Sequence, residues 1–145
     1  MLQRKLSFDR GFTLLELLIV IVIIGILALL IIPNITSAPK KARDTQRKTD
    51  LKAVQKGLEE YFVSNNVYPN DLPTLTTSNP PILKTVPTDP KNTAEYVYTY
   101  TPAASNSTYT LHACMENGAD TTSGTVASDA ACTSTSRGFQ LVNSN

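Results

Sequence analysis

Three hydropathy regimes divide the chain. From Phe12 to Ile32 every position is apolar or glycine except Thr13 and Glu16. A helix of about 20 residues crosses a hydrocarbon core of about 30 Å, so this run predicts a helix able to span a membrane. From Lys40 to about Ser64 the pattern is helical again, and Leu51, Val54, Leu58, Tyr61 and Phe62 recur at three- and four-residue intervals as one apolar stripe. Traced backward, the same face carries Arg47, Arg43 and Lys40. The expectation is therefore a head packed on the helix from Leu51 onward and a solvated stalk from Lys40 to Asp50.

Beyond Asn65-Asn66 the period changes. Tyr68-Pro69-Asn70-Asp71 and Leu72-Pro73 read as an irregular connection. Tyr96-Val97-Tyr98-Thr99-Tyr100 alternates, which predicts a strand with its three tyrosines on one face, covering the long helix. Tyr109 to Met115 predicts its antiparallel partner, with Pro102 to Ser107 as the turn, and Gly138 to Val142 a short third strand. Between the last two, Glu116 to Arg137 lacks any period and is expected to be an exposed loop. Within the first helix, Gly25 lowers helix propensity and Pro33 removes an amide donor, so a kink or local melting is expected there. Pro39 predicts a second break or a fresh first turn.

One carboxylate lies inside the apolar run. An unpaired charge at the centre of a bilayer helix costs about 2.5–3.5 kcal/mol, so Glu16 calls for a cation. The residues around it, Gly11-Phe12-Thr13-Leu14-Leu15-Glu16-Leu17-Leu18-Ile19-Val20 behind the charged leader Met1 to Arg10, resemble the class III signal of type IV prepilins and type II secretion pseudopilins. A secretory signal peptide would place its small-residue cleavage site after the apolar stretch, whereas Gly11 precedes it.

The resemblance implies a set of roles. A membrane-embedded prepilin peptidase would cut between Gly11 and Phe12 and methylate the new Phe12 amine. Glu16 would then meet the Phe12 amine of a neighbouring subunit during self-assembly into a helical filament, driven by a membrane platform and an ATPase. The family implies an α+β fold of lollipop form, with a long N-terminal helix, transmembrane in its first half, and a small antiparallel sheet as head. On that pattern residues 1–11 are the leader, 12–33 the membrane and filament-core helix, 34–64 the stalk and head-packing helix, and 65–145 the head. Helix breakers such as Gly25 and Pro33 are also a family feature. Tyr68-Pro69 and Pro87-Thr88-Asp89-Pro90 tilt the comparison toward pseudopilins.

Charge and cysteine content change the picture in two places. Thirteen basic and twelve acidic residues nearly cancel over the 145-residue chain, but the stem is basic and the head acidic, with three bases against six acids from Val63 onward. Counting Lys and Arg near the span would put the head in the cytoplasm. The resemblance and the two cysteines argue for the reverse: leader in the cytoplasm, head outside, and a periplasmic or extracellular filament after assembly. Cys114 and Cys132 read as a disulfide, worth roughly 3 kcal/mol in the chain-entropy model, with two buried free thiols as the alternative. His112 alone beside them does not complete a metal site.

No catalytic constellation is evident, and a structural subunit rather than an enzyme is expected. Asp89, Glu95, Asp120 and Asp129 are scattered acids that read as solvated loop carboxylates. Calcium, which some pseudopilin heads bind in C-terminal loops, is the alternative for them. No other cofactor is expected. Lys48, Lys52 and Lys56 at i, i+4 spacing could meet nucleic-acid phosphates, but they lack interleaved aromatics and are flanked by Asp44 and Glu60, which favours stalk salt bridges. A second functional reading is a membrane-anchored surface module for adhesion or DNA uptake, tethered in lipid by the helix and using the cysteine loop or the tyrosine face.

Overall fold

A computed structural model describes residues 11–122, 124–135 and 137–143, with the side chains of residues 30–36 outside the described set. The charged leader Met1 to Arg10 also lies outside the described residues. The chain divides into two compact units, one ending at Thr36 and one comprising Ser37–Asn145. Helix α1, Leu14–Asn65, contributes to both. It continues through Gly25, Pro33 and Pro39, so the expected melting does not interrupt the element in the isolated chain.

In the first unit the helix shows its apolar side chains to solvent all round, from Leu14 at 82% exposure to Val20 at 45%. Among the described residues no helix is long and apolar enough to cross a membrane. The apolar run read from Phe12 to Ile32 ends within residues 30–36, whose side chains lie outside that set.

The second unit is α+β. A one-turn helix α2, Thr74–Thr77, precedes four strands: β1 Thr99–Pro102, β2 Tyr109–Cys114, β3 Thr125–Ala127 and β4 Arg137–Val142. They form one antiparallel sheet in the order β1-β2-β4-β3. Leu51, Val54 and Leu58 of α1 are buried against Tyr109, Leu111 and Ala113 of β2 and Phe139 of β4, with Tyr61 and Phe62 half-buried beside them. This is the stripe the spacing predicts. Strand alternation sends Tyr109, Leu111 and Ala113 toward the helix and His112 and Cys114 to the opposite face. α1 ends at Asn65 because Asn66 takes φ 58°, a left-handed position that asparagine tolerates, and its N–H donates to the Phe62 carbonyl at 2.7 Å.

Three expectations need correction. The first strand is Thr99–Pro102, not Tyr96–Tyr100: Asn92 and Ala94 adopt positive φ and turn the chain, so Tyr96 makes only an isolated bridge to Thr93. Pro102 closes this edge strand, where a missing amide donor is tolerated. The stretch from Glu116 to Arg137 is not merely an exposed loop, because it holds β3 and buries Glu116 and Cys132. Lys40 to Asp50 is not a solvated stalk either, since Asp44 and Arg47 are 2% and 0% exposed. Apolar spacing could not register that contact, because it is made by charges.

Candidate functional site

Two sites emerge, one in each unit. The first is the start of α1. Thr13 lies just before the helix, and its hydroxyl accepts from the Glu16 amide at 3.2 Å. The Glu16 carboxylate reaches back to accept from the Thr13 amide at 3.0 Å and from its hydroxyl at 2.8 Å. Thr-x-x-Glu is thus a capping box, in which cap and third residue satisfy each other's exposed amides. Thr13 and Glu16 stand at the capping-box spacing in the sequence. Gly11 and Phe12 precede the helix as exposed, non-helical chain, and Gly11 has no heavy atom within 4 Å of where a Cβ would lie. Both residues flanking the predicted cleavage bond are thus exposed among the described residues.

The second site joins the head to α1 through charge. Arg43, Asp44 and Arg47 continue the face of Leu51 toward the N-terminus, and the head supplies the counter-groups. Arg47 donates to Asp89 at 2.6 and 3.0 Å, to Asp44 at 2.8 Å and to Glu116 at 2.9 Å. Arg43 grips both oxygens of Glu116 at 2.6 Å. Asp44 accepts the amides of Glu116 and Asn117 at 2.9 and 2.8 Å, so the chain after β2 docks on the helix. Lys48 binds Asp120 and Thr122, instead of pairing along the helix with Asp44.

These contacts set the ionisation of the acids. The Arg43 hydrogen bonds outweigh burial and, with Arg47, hold the Glu116 carboxyl at about 2. Burial pushes Asp89 up, but the Arg47 hydrogen bonds and the Lys91 and Asn92 amides bring it below its ordinary value. Asp120 is lowered in the same way by Lys48 and Thr122 against burial. Burial works against the Arg47 charge, yet its three carboxylates raise its pKa overall. Among the described residues no buried side-chain nitrogen or oxygen lacks a partner. By sequence Asp89 and Asp120 read as loop acids, Arg43, Asp44 and Arg47 as a solvated stalk and Glu116 as part of an exposed loop, so their common cluster was not foreseen. The signal was two arginines on the extension of an apolar stripe, each of which needs an acid if buried.

The tyrosine face is a seam, not a free surface. Tyr98 donates to Asp50 at 2.7 Å, Tyr100 to the Pro69 carbonyl at 2.6 Å, and Tyr68 and Tyr109 share Glu59 at 3.0 and 2.9 Å. Tyr96 lies apart beside the cysteines, with the Arg47 guanidinium 4.8 Å and the Lys91 ammonium 4.0 Å from its ring centre.

Asp89, Asp120 and Asp129 do not converge as calcium ligands would. Each faces a different cationic or titratable group of this chain: Arg47, Lys48 and His112. Glu95 accepts from Thr133 and Ser134 instead. Six or more oxygens around one point are needed for that ion, and these carboxylates do not provide them together. Cys114 and Cys132 form a disulfide with Cα atoms 5.4 Å apart. A groove of about 420 Å³ lies between the end of α1 and α2 and is lined by Glu60, Tyr61, Asn65, Thr74, Pro80 and Ile82 among others, with no histidine, cysteine or lysine.

An apolar helix opened by this cap and a small antiparallel sheet clasped to a helix define a pilin-like subunit. The prokaryotic N-terminal methylation motif matches residues 6–32. The family model "Type II secretion system (T2SS), protein G" matches residues 34–135, and the chain belongs to that family. It is similar to the type II secretion system core protein G of Pseudomonas aeruginosa, 44% identical over 62 residues, or 43% of this chain and 44% of that protein. The protein of the same description from Vibrio cholerae is 38% identical over 89 residues, 61% and 58% of the two chains. That from Escherichia coli is 42% identical over 67 residues, 46% of each. The chain spans about half the length of the curated relatives it matches. No solved structure matches it significantly.

Proposed function

We propose that this chain is a structural subunit of a type II secretion pseudopilus, polymerising through α1 after removal of the leader. The observation that carries the reading is the apolar surface of α1 from Leu14 to Leu29, exposed all round behind a capped start. A helix apolar on every side requires a surrounding apolar medium or neighbours. Membrane lipid supplies the first before assembly, and other copies of the helix supply the second afterward. Residues 1–11 are removed, 12–33 form the membrane and filament-core segment, and the rest of the chain is exported to the periplasmic side as the head. Its partners are a prepilin peptidase, further copies of the chain and the ATP-driven secretion platform.

The exposed bond between Gly11 and Phe12 suits a peptidase, which needs extended, accessible backbone. Cleavage frees the Phe12 amine one residue before the Thr13 cap. That cation, brought by a neighbour, meets a carboxylate already oriented by Thr13. Charge pairing then acts as a register device, because an unmatched partner in an apolar core costs more than the matched pair gains. The role is mechanical, and no catalytic step is assigned to the chain.

Processing and assembly are tested together. In cells making the secretion system, Glu16→Ala is expected to be cleaved and methylated normally, by mass spectrometry, yet to be missing from sheared pseudopili. Filaments formed normally by that variant would overturn the assembly role, and a Gly11→Ala chain that matures normally would overturn the cleavage site.

A further inference from the structure

The outer face of the sheet holds a cluster that the filament reading does not use. His112 and Cys114 stand two residues apart on β2 and so point the same way. Over them folds the turn Asp129 to Cys132, closed by the Cys132 amide donating to the Asp129 carbonyl at 3.1 Å. The nitrogen of His112 and the two sulfurs lie within 4.8 Å of one another, with Cys132 Sγ 3.7 Å from His112 Nε2. Asp129 Oδ2 lies 2.6 Å from the same Nε2.

We propose that the dithiol form of this chain has a zinc site made of His112, Cys114, Asp129 and Cys132. A tetrahedral zinc takes bonds of about 2.0–2.3 Å to nitrogen, oxygen and sulfur, which sets its ligand atoms roughly 3.3–3.8 Å apart. Opening the disulfide lets the sulfurs part toward that spacing, and the Asp129 carboxylate, which touches His112 but is not within 4.8 Å of both sulfurs, completes the site by leaving the imidazole and turning toward them. The set is four donors of the types zinc prefers, from one strand and one turn. Sequence spacing shows two cysteines and a histidine; the turn adds the fourth ligand.

Two further features fit a ligand cage. Asp129 Oδ1 accepts the Ala131 amide at 3.0 Å, which orients the carboxylate and leaves Oδ2 for the centre, as an outer hydrogen bond does for metal ligands. Gly138, paired with Cys114 across the sheet, forms the floor. A Cβ there would lie 2.0 Å from Asp129 Oδ2 and 2.6 Å from His112 Nε2. Only a residue without a side chain leaves this space to the ligands.

The chemistry balances without a change of metal oxidation state. A chain not yet oxidised carries two S–H groups; zinc forms two Zn–S bonds and both protons leave to solvent. From the disulfide, a phosphine reductant first supplies two electrons, with two protons from water, and becomes the phosphine oxide. Zinc and the disulfide are thus alternative clasps between β2 and the same turn. In the unoxidised chain the metal does the job of the covalent bond.

The full chain in detergent, with and without phosphine reduction, is titrated with zinc against a chromophoric chelator, and with cobalt as a spectroscopic probe. One zinc per dithiol chain is expected, with none at the disulfide form, and cobalt should show thiolate charge-transfer bands. Asp129→Asn and His112→Asn should each weaken zinc at least about tenfold while retaining the disulfide when oxidised. If reduction unfolds the head, zinc should restore its β-sheet circular dichroism. A dithiol chain that neither binds nor refolds with zinc would overturn the proposal. So would binding that is unchanged in Cys114→Ser or in the disulfide form.

Discussion

Arg47 grips both carboxylate oxygens of Asp89, at 2.6 and 3.0 Å, with neither side chain exposed to solvent. Forty-two residues separate them, so the contact exists only when the Pro87 to Pro90 segment lies on α1. The Glu116 carboxylate and the Asp44 side chain complete the shell around the same guanidinium. Removing the cation leaves three acids crowded in a poorly solvated place. Breaking such a cluster from one side costs about 3–5 kcal/mol, more than the cluster itself contributes. Arg47→Ala should lower head stability by that amount in urea unfolding of the full chain. Arg43→Ala should cost less, because its side chain is one-third exposed and water can replace it at Glu116.

The same acids make stability pH-dependent, and the sign follows from their depressed values. Glu116 ionises at about 2 in the folded chain against an ordinary 4.5. Asp89 and Asp120 are lowered as well. Their contribution is complete above the unfolded value and is lost as pH falls through the folded one. Unfolding midpoints should therefore be flat toward neutrality and fall between about pH 4.5 and 2. Glu116→Gln should start less stable and show a shallower fall across that window, measured by urea titration at fixed pH steps.

Glu16 caps the helix and, on the proposed assembly, also pairs with a neighbour's amine, and one substitution can separate the two. Its carboxylate closes the capping box with Thr13, and its charge is available to a neighbouring amine. Glutamine also closes a capping box but carries no charge. Glu16→Gln should keep amide hydrogen-exchange protection at the start of α1 and still fail to enter filaments. Thr13→Ala should do the reverse at the local level, fraying the first turn by about 0.5–2 kcal/mol while the acid remains. Assembly of Glu16→Gln at the normal level would mean that only the cap matters.

Gly138 offers a steric test of the head's outer face. An added methyl would displace Asp129 from His112, because both lie closer than any Cβ contact allows. Gly138→Ala should destabilise the oxidised head by roughly 1–3 kcal/mol, as overpacking does in a closed site. Gly57→Ala is the control: its Cβ would meet the Leu83 side chain at 3.2–3.4 Å, a much milder approach, and the change should cost less. Thermal melts of the two variants give the comparison.

The apolar stripe of α1 transferred well from sequence to structure. Leu51, Val54 and Leu58 are buried as the spacing predicts, because a 3.6-residue period and the hydrophobic effect act on neighbours along one helix. The existence of a hairpin and the strands β2 and β4 were legible for the same local reason, alternation at period two, but the alternation of Tyr96 to Tyr100 misplaced β1, which runs from Thr99 to Pro102. The motif around Gly11 and Glu16 was legible as a linear string and pointed to the prepilin and pseudopilin class, with Tyr68-Pro69 and Pro87 to Pro90 of the head tilting it toward pseudopilins. The pairing of Cys114 with Cys132 needed only the inventory of cysteines and a choice between disulfide and thiols.

What the tertiary structure decided is which charges meet. Arg43, Asp44 and Arg47 read as a solvated stalk because hydropathy treats every charge as water-seeking, whereas a buried guanidinium is satisfied by acids far away in sequence. Asp89, Asp120 and Asp129 read as one set because they are alike, yet the fold hands each to a different partner. The short β3 escaped notice because an edge strand of three residues is specified by its neighbour β4, not by its own pattern. Periodic burial is written locally along the chain. Ion pairing depends on distance in space, and only the folded head brings residues 43–48, 89 and 116–122 to one place.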